Sequence, residues 1–246
     1  MKQSRKSKRA IFFAYTGTIY DPQSDQKAHL ESAREIVRHF KLDVTPQSLL
    51  ERFSERADRY LAQRDADEFL AGDDMLRAVL PHFGTILQVP KTREHFLFVK
   101  EVTRKMHCVH GALMPGAEEA LSGIRERGFH VGLISHVDGD LLGSLLDSLG
   151  IRDYFDSVTT AEEAQVCRPD PRIFELAVGK AEITTKQAYF VSDDPHRDIP
   201  TARKLGFATI YLRAAPDAGK DCPEADFEIG ALTDLLPILD REAARK

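Results

Sequence analysis

The chain has 246 residues, of which 42% are hydrophobic and 30% charged, and its formal net charge is −5. This length suits one domain with a large insertion or two small domains, and this composition can bury a core, which excludes wholesale disorder. The sequence shows no run of about 18 apolar residues, the minimum for a membrane-spanning helix, so we expect no membrane partner.

The charge is unevenly distributed along the chain. Residues 1–10 include five basic residues and no acidic one, which leaves the rest of the chain strongly acidic. An acidic body argues against a nucleic-acid partner, whose binding surface is basic. We predict that residues 1–8 form a disordered basic tail rather than a secretory signal, although such a tail can also contact an anionic partner.

The chain has three cysteines, Cys108, Cys167 and Cys222, too few for a closed disulfide framework. This usage is typical of a reducing compartment, so we expect a cytoplasmic location. The sequence leaves the oligomeric state open.

The predicted elements begin with a buried strand over residues 10–14, which ends at the turn Thr16–Gly17–Thr18. From about residue 25 to residue 110, apolar residues recur at spacings of three and four, which predicts a bundle of helices. Four groups carry this spacing: Leu30, Ala33, Val37 and Phe40; Leu49 or Leu50, Phe53, Ala57 and Leu61; Phe69, Met75, Leu76, Val79 and Leu80; and Phe96, Val99, Val102 and Met106.

After Met114, predicted helices and strands alternate. The helices cover residues 117–127, 141–149, 171–180, 199–205 and 232–244, and the strands cover 129–134, 155–159, 188–191, 208–212 and 227–229. Strands joined through helices pair in parallel. The sequence therefore predicts an α/β fold, with a doubly wound parallel, Rossmann-like sheet in residues 9–21 and 113–246 and an inserted helical cap domain in 22–112. A bundle inserted after the first strand would overhang the ligand-binding edge, so we interpret it as a lid.

Chemistry-bearing residues follow the predicted strands in four segments, Phe13–Asp21, Gly132–His136, Arg168–Phe174 and Val191–Ile199. In this order and spacing the chain resembles the haloacid dehalogenase (HAD) superfamily, and most of all the branch whose helical cap is inserted after the first strand. The resemblance covers about residues 9–21 and 113–235. It implies a hydrolase scaffold of the phosphatase or dehalogenase type.

The resemblance also implies that the catalytic residues of the first motif are missing. In the family, an aspartate at the end of the first strand attacks the substrate, and in the phosphatases a second one, two residues later, protonates the leaving group. Gly17 and Thr18 set the register of this motif, which places Ala14 at the nucleophile position and Thr16 at the acid/base position. A methyl group has no lone pair, so Ala14 cannot attack.

The remaining motifs retain ligand-binding residue types. The resemblance places Ser135 where the family holds a phosphate oxygen and Arg168 where it has a lysine, while His136 lies at the mouth of the expected pocket. Alternatively, Ser135 is a strand-end residue that satisfies backbone groups and His136 is an exposed loop histidine. The expected phosphate-binding residues are Gly17, Thr18, Ser135, His136 and Arg168.

Three acids match the positions that hold Mg²⁺ in the family, namely Asp193, Asp194 and Asp198, and Ser192 replaces the usual glycine before them. One charged ligand would come from the missing nucleophile, so we expect Mg²⁺ binding to be weakened or absent. Alternatively, the acids cap a helix N-terminus, where Asp is favoured. Without a neighbouring nucleophile, Arg168 can pair with Asp193 or Asp198, or present its fork to a bound phosphate.

Asp21 and Cys167 are the candidates for a substitute nucleophile. Asp21 lies beyond the first turn. Cys167 is beside Arg168, which can lower a thiol pKa, although an ordinary loop cysteine is the simpler interpretation. His107, Cys108 and His110 have a spacing that suits zinc but lack a distant fourth ligand. The simpler interpretation of this segment is the end of the last cap helix and a hinge.

Two hypotheses follow for function. The first is a pseudoenzyme that binds a small anionic or phosphorylated ligand, or a protein partner, without turnover. The second is an active Mg²⁺-dependent hydrolase, a phosphatase that uses an altered nucleophile, with a water held by Asp193 or Asp198.

Overall fold

The computed structural model describes residues 9–62, 92–213 and 222–244. The predicted basic tail of residues 1–8 and the apolar group Phe69–Leu80 lie outside these ranges. Six strands are present in the described part: β1 (Ala10–Ala14), β2 (His130–Ser135), β3 (Ser157–Thr160), β4 (Ala188–Ser192), β5 (Ala208–Leu212) and β6 (Phe227–Ile229).

The described ranges also contain nine α-helices. In chain order they are α1 (Pro22–Phe40), α2 (Pro46–Ala62), α3 (Arg93–His110), α4 (Ala117–Glu126), α5 (Gly139–Ser148), α6 (Ala161–Ala164), α7 (Pro171–Ala181), α8 (Asp198–Lys204) and α9 (Leu235–Ala244). Short 3₁₀ turns cover Arg152–Tyr154, Thr185–Gln187 and Leu232–Asp234. None of the helices in this part of the chain combines the length and apolarity that crossing a bilayer requires.

The strands form one sheet in the order β3-β2-β1-β4-β5-β6, and every pairing is parallel. This confirms the predicted α/β fold with a doubly wound, Rossmann-like sheet. All five residues of β1 are buried. Helices that cover both faces of a parallel sheet explain why this strand is a continuous apolar run rather than an alternating one.

Aromatic side chains fill the space beside the central strands. Phe174 contacts Phe190 edge to face at a centroid distance of 5.1 Å, and Phe207 packs against Phe12 at 6.2 Å. Gly132 on β2 leaves room for the Phe12 ring, because a Cβ at that position would overlap it. Burial of these rings supplies much of the apolar area that stabilises the sheet.

The chain divides into two compact units, one of Met1–Asp21, Leu113–His136 and Gly150–Lys246, the other of Pro22–Ala112 and Val137–Leu149. Among the described residues, the first contains the sheet and the second is helical. The second unit also includes residues 137–149, which the sequence predicts to be part of the α/β domain. Helix α5 lies in this segment and packs against α3, where Lys100 and Asp140 form an ion pair at 3.7 Å.

The helical unit has its own small core. Ala33 and Ile36 on α1, Leu49 on α2 and Val99 on α3 are buried together. Ala33, Leu49 and Val99 belong to the groups whose spacing predicts helices, whereas Ile36 does not, so these three helices lie where the apolar period places them.

Candidate functional site

The strand order reverses at β1, which lies between β2 and β4. The carboxyl ends of these three parallel strands, Ala14, Ser135 and Ser192, therefore share one edge of the sheet. In open α/β sheets the edge at such a reversal is the usual place for a ligand.

The segment after β1 is a tight loop closed by its own backbone. The carbonyl of Tyr15 accepts hydrogen bonds from the amides of Thr18, Ile19 and Tyr20, at 3.2, 2.8 and 3.0 Å. Gly17 has a φ of 83°, in the left-handed region that favours glycine. Ala14 is 1% exposed, whereas Thr16 at the predicted acid/base position is exposed.

Asp193, the residue after β4, contacts this loop through a hydrogen bond and close packing. The Thr18 hydroxyl, which is fully buried, donates to Oδ1 of Asp193 at 2.9 Å. The Asp193 carboxylate also lies against the backbone of Gly17, where a Cβ would overlap it. Position 17 therefore requires glycine for two reasons: its backbone conformation and the space that Asp193 occupies.

Arg168 pairs with Asp198, one of the two partners that the sequence left open. Its Nη1 donates to Oδ2 of Asp198, and the two side chains are 9% and 7% exposed. The Ser192 hydroxyl donates to the same carboxylate oxygen at 2.8 Å and accepts the amide of Asp194 at 3.2 Å. Ser192 was noted in the sequence only as a replacement for glycine, and its hydroxyl is the residue feature that sequence reasoning missed.

Asp194 accepts hydrogen bonds from residues of its own loop. Its Oδ1 accepts the backbone amides of His196 and Arg197 at 3.0 and 2.9 Å, and its Oδ2 accepts Nε of Arg197 at 2.9 Å. These bonds order the loop before α8, whose N-cap residue, Arg197, makes no side-chain capping hydrogen bond. The carboxylate is thus hydrogen-bonded by three donors from two following residues.

Burial affects the three carboxyls differently. Desolvation raises the pKa of Asp193, against the hydrogen bond from Thr18, and it raises the pKa of Asp198, against the Arg168 guanidinium. Desolvation also opposes ionisation of Asp194, but the donors from Arg197 and His196 together outweigh it and lower the pKa of that carboxyl. The two acids deepest in the site are therefore the ones that hold a proton more readily.

His136 supports the Arg168 loop. Its Nε2 accepts the backbone amide of Arg168 at 2.9 Å, which requires an unprotonated nitrogen. Desolvation of the ring, followed by the charges of Arg168 and Arg197, lowers the pKa of His136 to about 3. The ring is therefore neutral at physiological pH, and the residue is exposed, as the loop-histidine alternative expects, while Ser135 beside it is fully buried.

The structure thus brings the predicted residues into two linked groups. Gly17, Thr18 and Asp193 form one, and Arg168, Asp198 and His136 form the other, with Ser192 adjoining Asp193 in the chain. Cys167 is exposed in the loop that precedes Arg168.

Comparison with known proteins gives a family match and several relatives. The sequence matches the family described as haloacid dehalogenase-like hydrolase over residues 8–206. It is 35% identical over 132 residues to haloacid dehalogenase-like hydrolase domain-containing protein 3 from Bos taurus, covering 52% of each chain. The chain spans about half the length of curated relatives such as this one. It is 24% identical to ribulose-1,5-bisphosphate 5-phosphatase from Halopiger xanaduensis, covering 92% of this chain and 98% of that protein.

Solved structures share the fold. The 2-haloacid dehalogenase from Pseudomonas syringae pv. Tomato DC3000 superposes with a TM-score of 0.74 at 24% identity, covering 95% of this chain and 99% of that one. The HAD phosphatase from Thermococcus onnurineus gives a TM-score of 0.68 at 21% identity, covering 94% and 97%.

Proposed function

Because the chain belongs to the haloacid dehalogenase-like hydrolase family, we propose that it is a non-catalytic member of the helical-cap branch that binds a phosphorylated or other anionic ligand. Relatives named as phosphatases and as a haloacid dehalogenase define the two chemistries that it would have lost.

The observation that carries the proposal is Ala14 at the carboxyl end of the central strand. The neighbouring strands end at Ser135 and Ser192. The motif resemblance assigns the family's nucleophile to position 14, and the methyl group of Ala14 there supports the proposal. In a well-characterised hydrolase, loss of the nucleophile alone lowers kcat by a factor of about 10⁶. Thr16 adds no acid two residues later.

We expect Mg²⁺ to fit poorly here, because two of the three acids are bonded to arginines and the third accepts a hydrogen bond from a hydroxyl group. Arg168 is bonded to the carboxylate of Asp198, and Arg197 is bonded to that of Asp194. A cation would have to displace a guanidinium from either carboxylate, and Ala14 offers no carboxylate in exchange. Mg²⁺ dehydrates reluctantly even for a good oxygen site, so we expect Mg²⁺ to bind weakly here.

An anion suits the same place better than a cation does. Nε of Arg168 is buried and has no hydrogen-bond partner among the described residues, although a guanidinium normally uses its whole fork. A buried donor left without an acceptor costs about 1–3 kcal/mol, so an anion that accepted from it would bind favourably. The Ser135 hydroxyl and the neutral ring of His136 belong to the same sheet edge.

A thermal-shift titration with inorganic phosphate, without metal, tests ligand binding. We expect a saturable rise in Tm for the native protein and for Arg127→Ala, which removes an exposed Arg–Asp pair elsewhere in the α/β unit. The rise should vanish in Arg168→Ala. Sodium chloride at matched ionic strength separates binding from screening. No saturable rise, or an equal rise in Arg168→Ala, would exclude this anion site and favour a protein partner.

Turnover is tested separately with a panel of phosphate monoesters, acyl phosphates and 2-haloacids in the presence of Mg²⁺. We expect rates equal to the protein-free blank. A rate that scales with protein concentration across independent preparations would contradict the non-catalytic assignment.

One observation favours the second candidate, an active hydrolase with an altered nucleophile. Burial raises the pKa of Asp193, and a carboxyl with a raised pKa is suited to accept a proton from water. This candidate predicts a metal-dependent rate that Asp193→Asn or Asp198→Asn abolishes. If the native protein shows no rate to abolish, the candidate fails.

A further inference from the structure

A cluster of metal-ligand side chains lies in the helical unit, whereas the candidate site described above belongs to the α/β unit. Asp25 and His29 are four residues apart on α1, so they lie on the same face of that helix. His107 is in the last turn of α3, the helix that packs on α1. One ligand atom from each of the three residues lies within 4.8 Å of the other two.

The separations within the cluster suit shared coordination better than hydrogen bonding. Nε2 of His107 is 3.4 Å from Oδ1 of Asp25, and Nε2 of His29 is 3.7 Å from Oδ2 of Asp25. Both exceed the usual N–H···O range of about 2.7–3.2 Å. Ligands about 2.0–2.1 Å from a tetrahedral zinc ion are about 3.3–3.4 Å apart. The His107–Asp25 separation equals the edge of such a tetrahedron, whereas the His29–Asp25 separation is longer and involves the other carboxylate oxygen, so the His29 and Asp25 side chains would have to move by a few tenths of an ångström to share one ion.

His107 is held in the orientation that a metal ligand needs. Its Nδ1 lies 2.8 Å from the backbone carbonyl of Thr103, a bond in which Nδ1–H donates. In the neutral ring this bond leaves the lone pair on Nε2, the atom nearest Asp25. A carbonyl that orients the distal nitrogen of a ligating histidine is the common second-shell arrangement at zinc sites.

The cluster is buried on one side and open on the other. The His107 side chain is 4% exposed and that of Asp25 is 28% exposed, whereas His29 is 50% exposed. An ion can enter past the His29 imidazole, and water can complete its coordination there.

We propose that Asp25, His29 and His107 bind a zinc ion, or a similar borderline divalent transition metal, through two imidazole nitrogens and one carboxylate, with water as the fourth ligand. Two histidines and one carboxylate with an open position form a recurrent zinc-ligand set. The site shares His107 with the zinc alternative in the sequence, but its other ligands come from α1 instead of Cys108 and His110. It would join α1 to α3 and is independent of any anion at the sheet edge.

A competition titration against a chromophoric zinc chelator, using untagged protein freed of metal, tests the site. We expect one zinc ion per chain and an affinity that falls about 100-fold or more in His29→Ala and in Asp25→Asn, because each removes a direct ligand. His29 is half exposed, so its truncation should leave the fold intact. The matched control is His110→Ala, which removes a histidine from the same turn of α3 and should keep the native affinity.

Co²⁺ provides a readout that depends on geometry. Tetrahedral Co²⁺ bound by the native protein should give visible d–d absorption, and His29→Ala should lose it. Absence of saturable zinc binding, or binding that survives unchanged in both His29→Ala and Asp25→Asn, would overturn the proposal. Equal loss in His110→Ala would overturn it as well, since the ligands would then be others.

Discussion

Arg168 and Asp198 form an ion pair at the edge of the sheet in which the two side chains are only 9% and 7% exposed. The Ser192 hydroxyl donates to the same carboxylate oxygen that Arg168 contacts, at 2.8 Å. Removal of one partner from such a pair leaves the other charge buried without compensation, which is far more costly than loss of an exposed pair.

Arg168→Ala should therefore lower the free energy of unfolding by about 3 kcal/mol, measured by urea denaturation at neutral pH. The matched change is Arg127→Ala, whose pair with Asp240 is 29% and 58% exposed. That variant should lose about 1 kcal/mol or less. Equal losses in the two variants would show that the Arg168 pair is solvated in solution.

Gly17→Ala should destabilise the protein by about 3 kcal/mol, through left-handed strain and displacement of the Asp193 carboxylate from Thr18. Gly128 is the control, because its φ of 73° is similar but a Cβ there meets nothing within 4 Å. Gly128→Ala should cost about 1–2 kcal/mol. In a double-mutant cycle measured by denaturant unfolding, Asp193→Ala should relieve the excess cost of Gly17→Ala. Additive losses would contradict the close approach.

Asp193→Asn and Asp194→Asn should respond to pH in opposite directions. The pKa of Asp193 is raised above 3.8, so its contribution to stability is complete below 3.8 and is lost as pH rises through the folded-state value. The stability of Asp193→Asn relative to the native protein should thus increase from acid to neutral pH. The pKa of Asp194 is lowered, so its contribution is present above 3.8 and is lost as pH falls through its lower value.

For Asp194→Asn, stability relative to the native protein should therefore decrease from acid to neutral pH. Denaturant unfolding across this range gives both slopes with one method. Parallel slopes for the two neighbours would show that their surroundings do not differ as described.

His136 should remain neutral well below the ordinary histidine range, because its pKa is lowered to about 3. By linkage, its contribution to stability is present above about pH 6.5 and is lost as pH falls toward 3. The ring resonances of His136 in an NMR titration should keep their neutral positions down to about pH 4. A midpoint near 6.5 would show that Nε2 does not accept the Arg168 amide in solution.

The sequence predicts the sheet well because the information is local. Each central strand is an apolar run such as Ala10–Ala14, bounded by residues that end strands or helices. Because the strands alternate with helices along the chain, the sequence also predicts that they pair in parallel. The order of the motifs likewise placed Gly17, Ser135, Arg168 and Asp193 at one edge.

Other features depend on contacts that no local pattern encodes. The sequence left Arg168 with two carboxylate partners, and only the fold selects Asp198. Spacing alone grouped His107 with Cys108 and His110, whereas packing of α1 on α3 brings it to Asp25 and His29. Helix α5 lies between two strands in the sequence, and yet it packs against α3. In each case the deciding neighbour is distant in sequence.

The most direct test of the central claim is a search for a covalent intermediate. The protein is incubated with Mg²⁺ and an excess of one of three substrates: an acyl phosphate, phosphoserine or a 2-haloacid. The reaction is then quenched in acid, and the peptides of the protein are mapped by mass spectrometry. Phosphoserine phosphatase from Thermus thermophilus, a relative 30% identical over 128 residues, is the positive control for the phosphoserine arm. The proposed non-catalytic function predicts that no aspartate or glutamate carries a phosphoryl or alkyl adduct. A stoichiometric adduct on any carboxylate of this chain would contradict the non-catalytic assignment.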